Sequence, residues 1–139
     1  MKNNRTLLTL QEFVSTSMGR DLRVIIIGGR AIARMVRVAK KGDFKDKLSR
    51  GGMIRSFEMT PEIEWLATES ASVFGIEIAG MGLLFDGEHF KVCEANFSPG
   101  FEGVESCCGI DIAQEMCNFI RVRLGMIPEE EEGNKENMN

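Results

Sequence analysis

"DLRVIIIGGRAIARMVRVA", residues 21–39, places two apolar, β-branched runs on either side of Gly28-Gly29. A Gly-Gly pair between such runs signals a β-hairpin, because glycine supplies the positive φ that a tight turn needs. Arg23 and Arg37 stand among aliphatic neighbours on the two arms. They are expected to point to a face that needs charge.

Working outward, "TLLTLQEFV" (6–14) reads as a strand before the hairpin, and "KKGDFKDKLSRGG" (40–52) as a glycine-bounded loop without apolar period. "MIRSFEM" is a short strand. Thr60-Pro61 then opens a helix: Thr60 at the N-cap, Pro61 at the first helical position, Glu62 and Glu64 in the positive first turn. Its expected inner stripe is Ile63, Leu66, Ala67, Ser70, Val73 and Phe74, and Gly75 ends it. "IEIAGMGLLF" (76–85) and "FKVCEANF" (90–97) are two more strands joined through Asp86-Gly87. A last helix starts near Asp111, where "DIAQ" has the capping-box pattern, with Ala113, Met116, Cys117, Ile120 and Leu124 facing inward. Strands joined by hairpins with helices laid beside them predict an α+β domain: an antiparallel β-sheet with helices on one side.

At 139 residues the chain has the length of one domain with its own core. No apolar run approaches a membrane span, and the apolar stretch after Arg5 is too short for a signal peptide, so a cytoplasmic protein is expected. The net charge of −4 is a local property. Residues 129–136 hold five Glu and one Lys, which leaves 21 − 5 = 16 acids and 17 − 1 = 16 bases elsewhere. The body is neutral, no basic run suggests nucleic acid, and residues 128–139 are expected to form a disordered acidic tail. Cys93, Cys107, Cys108 and Cys117 form no C-x-x-C pair, and His89 is the only histidine, which argues against zinc and for reduced thiols.

"KVCEANFSPGFEGVE" (91–105) sets Glu94 and Asn96 two apart on a strand that stops at Ser-Pro-Gly. Residues i and i+2 share a face, so a carboxylate and a carboxamide project together. By spacing alone a solvated polar strand end is the simpler reading; two hard oxygen donors suited to Mg²⁺ is the sharper one.

"LQEFVSTSMGRDLRVIIIGGRAIARMVR", "AKKGDFKDKLSRGG", "TPE" and "CEANFSPGFEGVESCCGIDIA" follow one another at a spacing that resembles the C-terminal part of the RimK-type ATP-grasp ligases, over about residues 8–125. The resemblance implies the C-terminal palm of an ATP-grasp fold over 1–127. It also implies an ATP-dependent carboxylate–amine ligase acting through an acyl phosphate, with ATP and Mg²⁺ (or Mn²⁺) as cofactors. By the same resemblance, Gln11, Glu12 and Phe13 match the hinge beside adenine, Asp21 the acid near ribose, and Lys45, Asp46 and Lys47 the loop over the nucleotide. Arg23, Arg37 and Arg50 match arginines that face phosphate and substrate, Arg37 and Arg50 being the candidates nearest the chemistry. Glu94 and Asn96 match metal ligands. Simpler readings of the same residues are exposed arginines at 37 and 50 and a turn acid at 21.

The chemistry is coherent with these residue types. Phosphoryl transfer needs charge neutralised and groups aligned more than it needs covalent help, and arginine forks suit phosphate and carboxylate.

The chain also departs from the family. Gly82 stands where the family has a third, aspartate metal ligand, and Lys47 and Ser49 stand where Asn and His are more usual. The chain opens at the hinge, so the palm that brings lysines to the phosphates is expected as a missing N-terminal half. The expected partners are therefore ATP, an amino-acid or peptide carboxylate, that missing half and a second copy of the chain in a homo-oligomer; neither nucleic acid nor membrane is expected. Two readings stand: one half of a ligase, or a non-catalytic truncated ATP-grasp module kept for nucleotide binding or protein interaction. Matching Gly82 to the metal face also predicts a three-residue loop (86–88) that pairs Gly82 with Val92 and Gly80 with Glu94.

Overall fold

The computed structural model describes residues 8–39 and 52–126. Lys45, Asp46, Lys47, Arg50 and the acidic tail lie outside them. Eight elements of regular structure follow a short 3₁₀ turn at Ser15–Ser17: β1 (Arg20–Ile27), β2 (Arg30–Val38), β3 (Met53–Ser56), α1 (Pro61–Val73), β4 (Ile78–Asp86), β5 (His89–Asn96), α2 (Glu102–Cys108) and α3 (Ile112–Arg123). The strands form one sheet in the order β3-β2-β1-β4-β5, with every neighbouring pair antiparallel.

The hairpin of 21–39 forms as read. Ile27 pairs with Arg30, and Gly28 and Gly29 make the turn with φ of 58° and 76°. Positive φ at both central residues is what the right-handed twist of the arms demands. At Gly28 a Cβ would also lie 2.7 Å from the Phe119 ring, so this turn is packed as well as bent.

β1 is buried on both faces, which explains its unbroken apolar run. Leu22, Val24 and Ile26 pack with Ile63, Ala67 and Ala71 of α1. Ile25 and Ile27 pack with Val104 of α2 and Ile112 of α3. The α+β class and the antiparallel sheet are those expected. The one-sided placement of helices is not: α1 covers one face, and α2 and α3 cover the other. Apolar alternation on β1 hides this, since both parities are apolar.

Three local expectations change. Residues 8–14 form no strand. The 3₁₀ turn that follows is tied to the sheet: Thr16 Oγ1 donates to Phe85 O (2.7 Å), Ser17 Oγ donates to Arg20 O (2.7 Å), and Phe85 N–H donates to Ser17 Oγ (3.0 Å). Short hydroxyl side chains compete with ladder pairing in this way. Helix α1 has both expected ends, with Thr60 accepting from Ile63 N–H, but it buries Ile63, Ala67 and Ala71 while Val73 and Phe74 are exposed. Helix α3 begins at the expected Asp111 cap, which accepts from Gln114 N–H at 2.7 Å. Its inward stripe is Ile112, Met116 and Phe119, which shares only Met116 with the stripe read in the sequence, and Ile120 and Leu124 are exposed.

The β4–β5 turn contains two residues, Gly87 and Glu88, because Asp86 pairs with His89. The expected three-residue loop is therefore wrong. A register shift then leaves Cys93 unmatched, so that Leu83 faces Val92 and Gly82 faces Glu94. One bulged residue restores the shared face that the loop was expected to provide. Among the described residues no helix is long and apolar enough to cross a membrane.

Candidate functional site

Strand parity assembles the site. Asp21 and Arg23 share the face of Ile25 and Ile27, beyond the edge of the α2–α3 layer. Across the sheet, one row runs Met35, Arg23, Gly82, Glu94, from β2 through β1 and β4 to β5. The row beside it pairs Arg37 with Asp21.

Both rows carry an ion pair. The Arg23 Nη2 donates to Glu94 Oε1 at 2.5 Å, reaching over Gly82. Arg23 is 7% exposed and the Glu94 side chain 52%, so the arginine is the buried member. Its Nε is buried with no hydrogen-bond partner among the described residues. Arg37 grips Asp21 with a forked contact: Nε lies 2.9 Å from Oδ1 and 3.2 Å from Oδ2, and Nη2 also donates to Oδ2. Such bidentate geometry is what a planar guanidinium offers a carboxylate.

Two cavities meet at these pairs. The first, about 550 Å³, is lined by Gln11, Glu12, Phe13, Asp21, Arg37, Gly82, Cys93 and Glu94, among others. The second, about 540 Å³, is lined by Arg23, Met35, Arg37, Phe101, Glu102 and Gly103, with Gly100 beside them. Asp21 and Glu94 face the first, Arg23 the second, and Arg37 both. The ion pairs are thus a shared wall. The structure gathers Gln11, Glu12, Phe13, Asp21, Arg23, Arg37 and Glu94 around it. Asn96 stays apart: it lines neither cavity, and its Oδ1 accepts the Ser98 N–H at 2.9 Å in a local turn.

Lys91 was not singled out in the sequence. Its Nζ lies 3.1 Å from Glu12 and 3.2 Å from Asp86, and these two carboxylates raise its pKa. It ties the 11–13 segment to β5. Only the fold reveals this, because 79 residues separate the partners. Burial, then the neighbouring Glu94 and Asp21 charges, push the Cys93 thiol up as well.

The donors present do not make a divalent-cation site as they stand. Gly82 offers no side chain, one Glu94 oxygen is held by Arg23, and the Asn96 oxygen is held by Ser98 N–H. Among the described residues no group of three or more His, Cys, Asp or Glu converges on one point.

A RimK-like ATP-grasp domain family matches residues 1–120. The chain belongs to the RimK-like ATP-grasp family. A probable alpha-L-glutamate ligase of Thioalkalivibrio sulfidiphilus is 39% identical over 113 residues, covering 81% of this chain and 38% of the relative. One of Syntrophotalea carbinolica is 37% identical with the same coverage. The chain therefore spans well under half the length of these RimK-like relatives. In fold it resembles the ATP-grasp ligase PsnB complexed with minimal precursor, with a TM-score of 0.64 at 22% identity over 82% of this chain and 37% of that one. It also resembles the macrocyclase MdnC bound with a precursor peptide, from Microcystis aeruginosa, with a TM-score of 0.58 at 16% identity over 76% of this chain and 34% of that one. The RimK-like chain thus has the fold of ATP-grasp ligases.

Proposed function

We propose that this chain is the C-terminal palm of an ATP-dependent carboxylate–amine ligase of the RimK-like type. The observation that carries the reading is the wall of two ion pairs between two adjacent cavities. A nucleotide fits the first, with its base against the Gln11–Phe13 segment and its ribose near Asp21. A carboxylate acceptor fits the second, in front of Arg23 and Arg37. The terminal phosphoryl group then reaches the acceptor at the shared wall, where two guanidinium groups neutralise charge on phosphate and carboxylate. An acyl phosphate formed there would be attacked by an amine, glutamate by analogy with the curated relatives' names. The metal that the family implies is not assigned to these residues.

The remaining length of the relatives supplies the opposing palm in this reading, and the clamp closes only when both are present. Water exclusion and half of the phosphate contacts come from that partner. The 139-residue chain by itself is expected to show no measurable ATP-dependent ligation of glutamate. Product formed by the purified chain, and abolished by Glu94→Ala, would overturn that expectation. Nucleotide binding is the direct test: calorimetry should detect ADP, and Asp21→Ala with Phe13→Ala should weaken it by about tenfold or more, the loss of one good polar contact. Unchanged affinity in a folded variant would sink the placement.

The absence of a side chain at Gly82 favours a second reading, a non-catalytic module that binds nucleotide or a protein partner. A ligase assembled with its opposing palm that binds ATP without turnover would select it.

A further inference from the structure

The row Arg23, Gly82, Glu94 holds one positive and one negative charge, with the glycine between them. β1 and β5 are two strand spacings apart, about 10 Å, and only side chains that lean toward each other can bridge that gap. Glu94 does so against Gly82, and Arg23 Nη1 lies beside Gly80 on the same strand. A Cβ at Gly82 would lie 2.7 Å from Glu94 Cγ, so a side chain at 82 and this placement of Glu94 exclude each other. The glycine is what permits the pair to close.

We propose that the Arg23–Glu94 ion pair, closed over Gly82, takes the place of a divalent cation on this palm. The inference rests on the nucleotide reading above for its ligand, the phosphates. Mg²⁺ needs several oxygen ligands in octahedral array and gives up its waters reluctantly. Here it would meet one shared carboxylate, a glycine and a buried guanidinium of like charge. The guanidinium is itself a fixed cation, and its Nε is a buried donor with no acceptor among the described residues. A guanidinium pairs with anionic oxygens and repels a metal ion. The palm therefore meets phosphate through Arg23, and any Mg²⁺ in the complex is carried by the nucleotide or by the opposing palm.

The full chain is titrated with Mn²⁺ alone, followed by water-proton relaxation, and with ADP in excess chelator or excess Mg²⁺, followed by calorimetry. No saturable Mn²⁺ binding is expected, and the two ADP affinities should agree within about threefold, well under the tenfold that 1.4 kcal/mol would give. A saturable Mn²⁺ site that vanishes in Glu94→Gln overturns the proposal, as does ADP affinity that falls by about tenfold or more in chelator. If ADP binds in neither buffer, the nucleotide reading fails, while absent Mn²⁺ binding still supports the closed pair and saturable Mn²⁺ binding still overturns it. Gly82→Asp should push Glu94 off Arg23 and create a saturable Mn²⁺ site. A folded Gly82→Asp chain that binds no Mn²⁺ overturns the role given to Gly82.

Discussion

Arg23 and Glu94 sit on β1 and β5, with β4 between them, and join above the bare backbone of Gly82. Arg23 is buried and Glu94 half exposed, so the two ends of the pair are unequal in cost. Removing the acid strands a buried cation; removing the cation leaves an acid that water can solvate.

Glu94→Ala should therefore destabilise the fold by about 1–3 kcal/mol, below the range for fully buried pairs because water reaches the carboxylate. Glu94→Gln keeps an acceptor for Arg23 and should recover part of that loss. Urea denaturation of the three proteins checks both statements. A Glu94→Ala chain as stable as the parent would mean that Arg23 finds another acceptor.

Gly28 and Gly29 share the turn and the positive φ, but only Gly28 is packed against Phe119. Gly29→Ala meets no atom of the described residues within 4 Å and should cost about 1 kcal/mol, the penalty of a left-handed alanine. Gly28→Ala must also displace the Phe119 ring and should cost about 2–3 kcal/mol, the added part being overpacking. Thermal melts of the two variants give the difference. Equal costs would show that α3 yields freely at Phe119.

The Cys107 thiol is pushed up from 9.0 to about 11 by burial and by its contact with Cys108, 3.6 Å away. A raised pKa on an acid means the folded chain keeps a proton that the unfolded chain has lost. Stability should then fall as pH rises from 9 through 11, and Cys107→Ser should flatten that decline. In alkylation at pH 8, the exposed Cys117 should react early and Cys107 late. Peptide mapping by mass spectrometry reads the order; early labelling at Cys107 contradicts the packing of α2.

Lys91 holds the 11–13 segment against β5 through Glu12. Lys91→Met should leave the fold intact and weaken ADP binding by about three- to tenfold, since the segment must then be ordered at the moment of binding. Faster proteolysis between residues 8 and 14 should accompany it. Parent-like affinity with faster cleavage would place the nucleotide away from this segment.

The hairpin of 21–39, the Thr60 and Asp111 caps and the two later strands were legible in the chain because each is a local pattern: a glycine pair, a hydroxyl or carboxylate before a helix, a run of period two. The family was legible for a related reason, since its motifs are short and ordered. Tertiary structure alone decided which face each helix covers, because β1 is apolar on both parities. It alone decided that Cys93 bulges and so sets Glu94 against Gly82, because register is settled by pairing along two strands and not by the turn between them. The pairs Arg23–Glu94, Arg37–Asp21 and Lys91–Glu12 lie 71, 16 and 79 residues apart, distances over which no period in the sequence carries information. Their charges are written in the chain; their meeting is a property of the sheet.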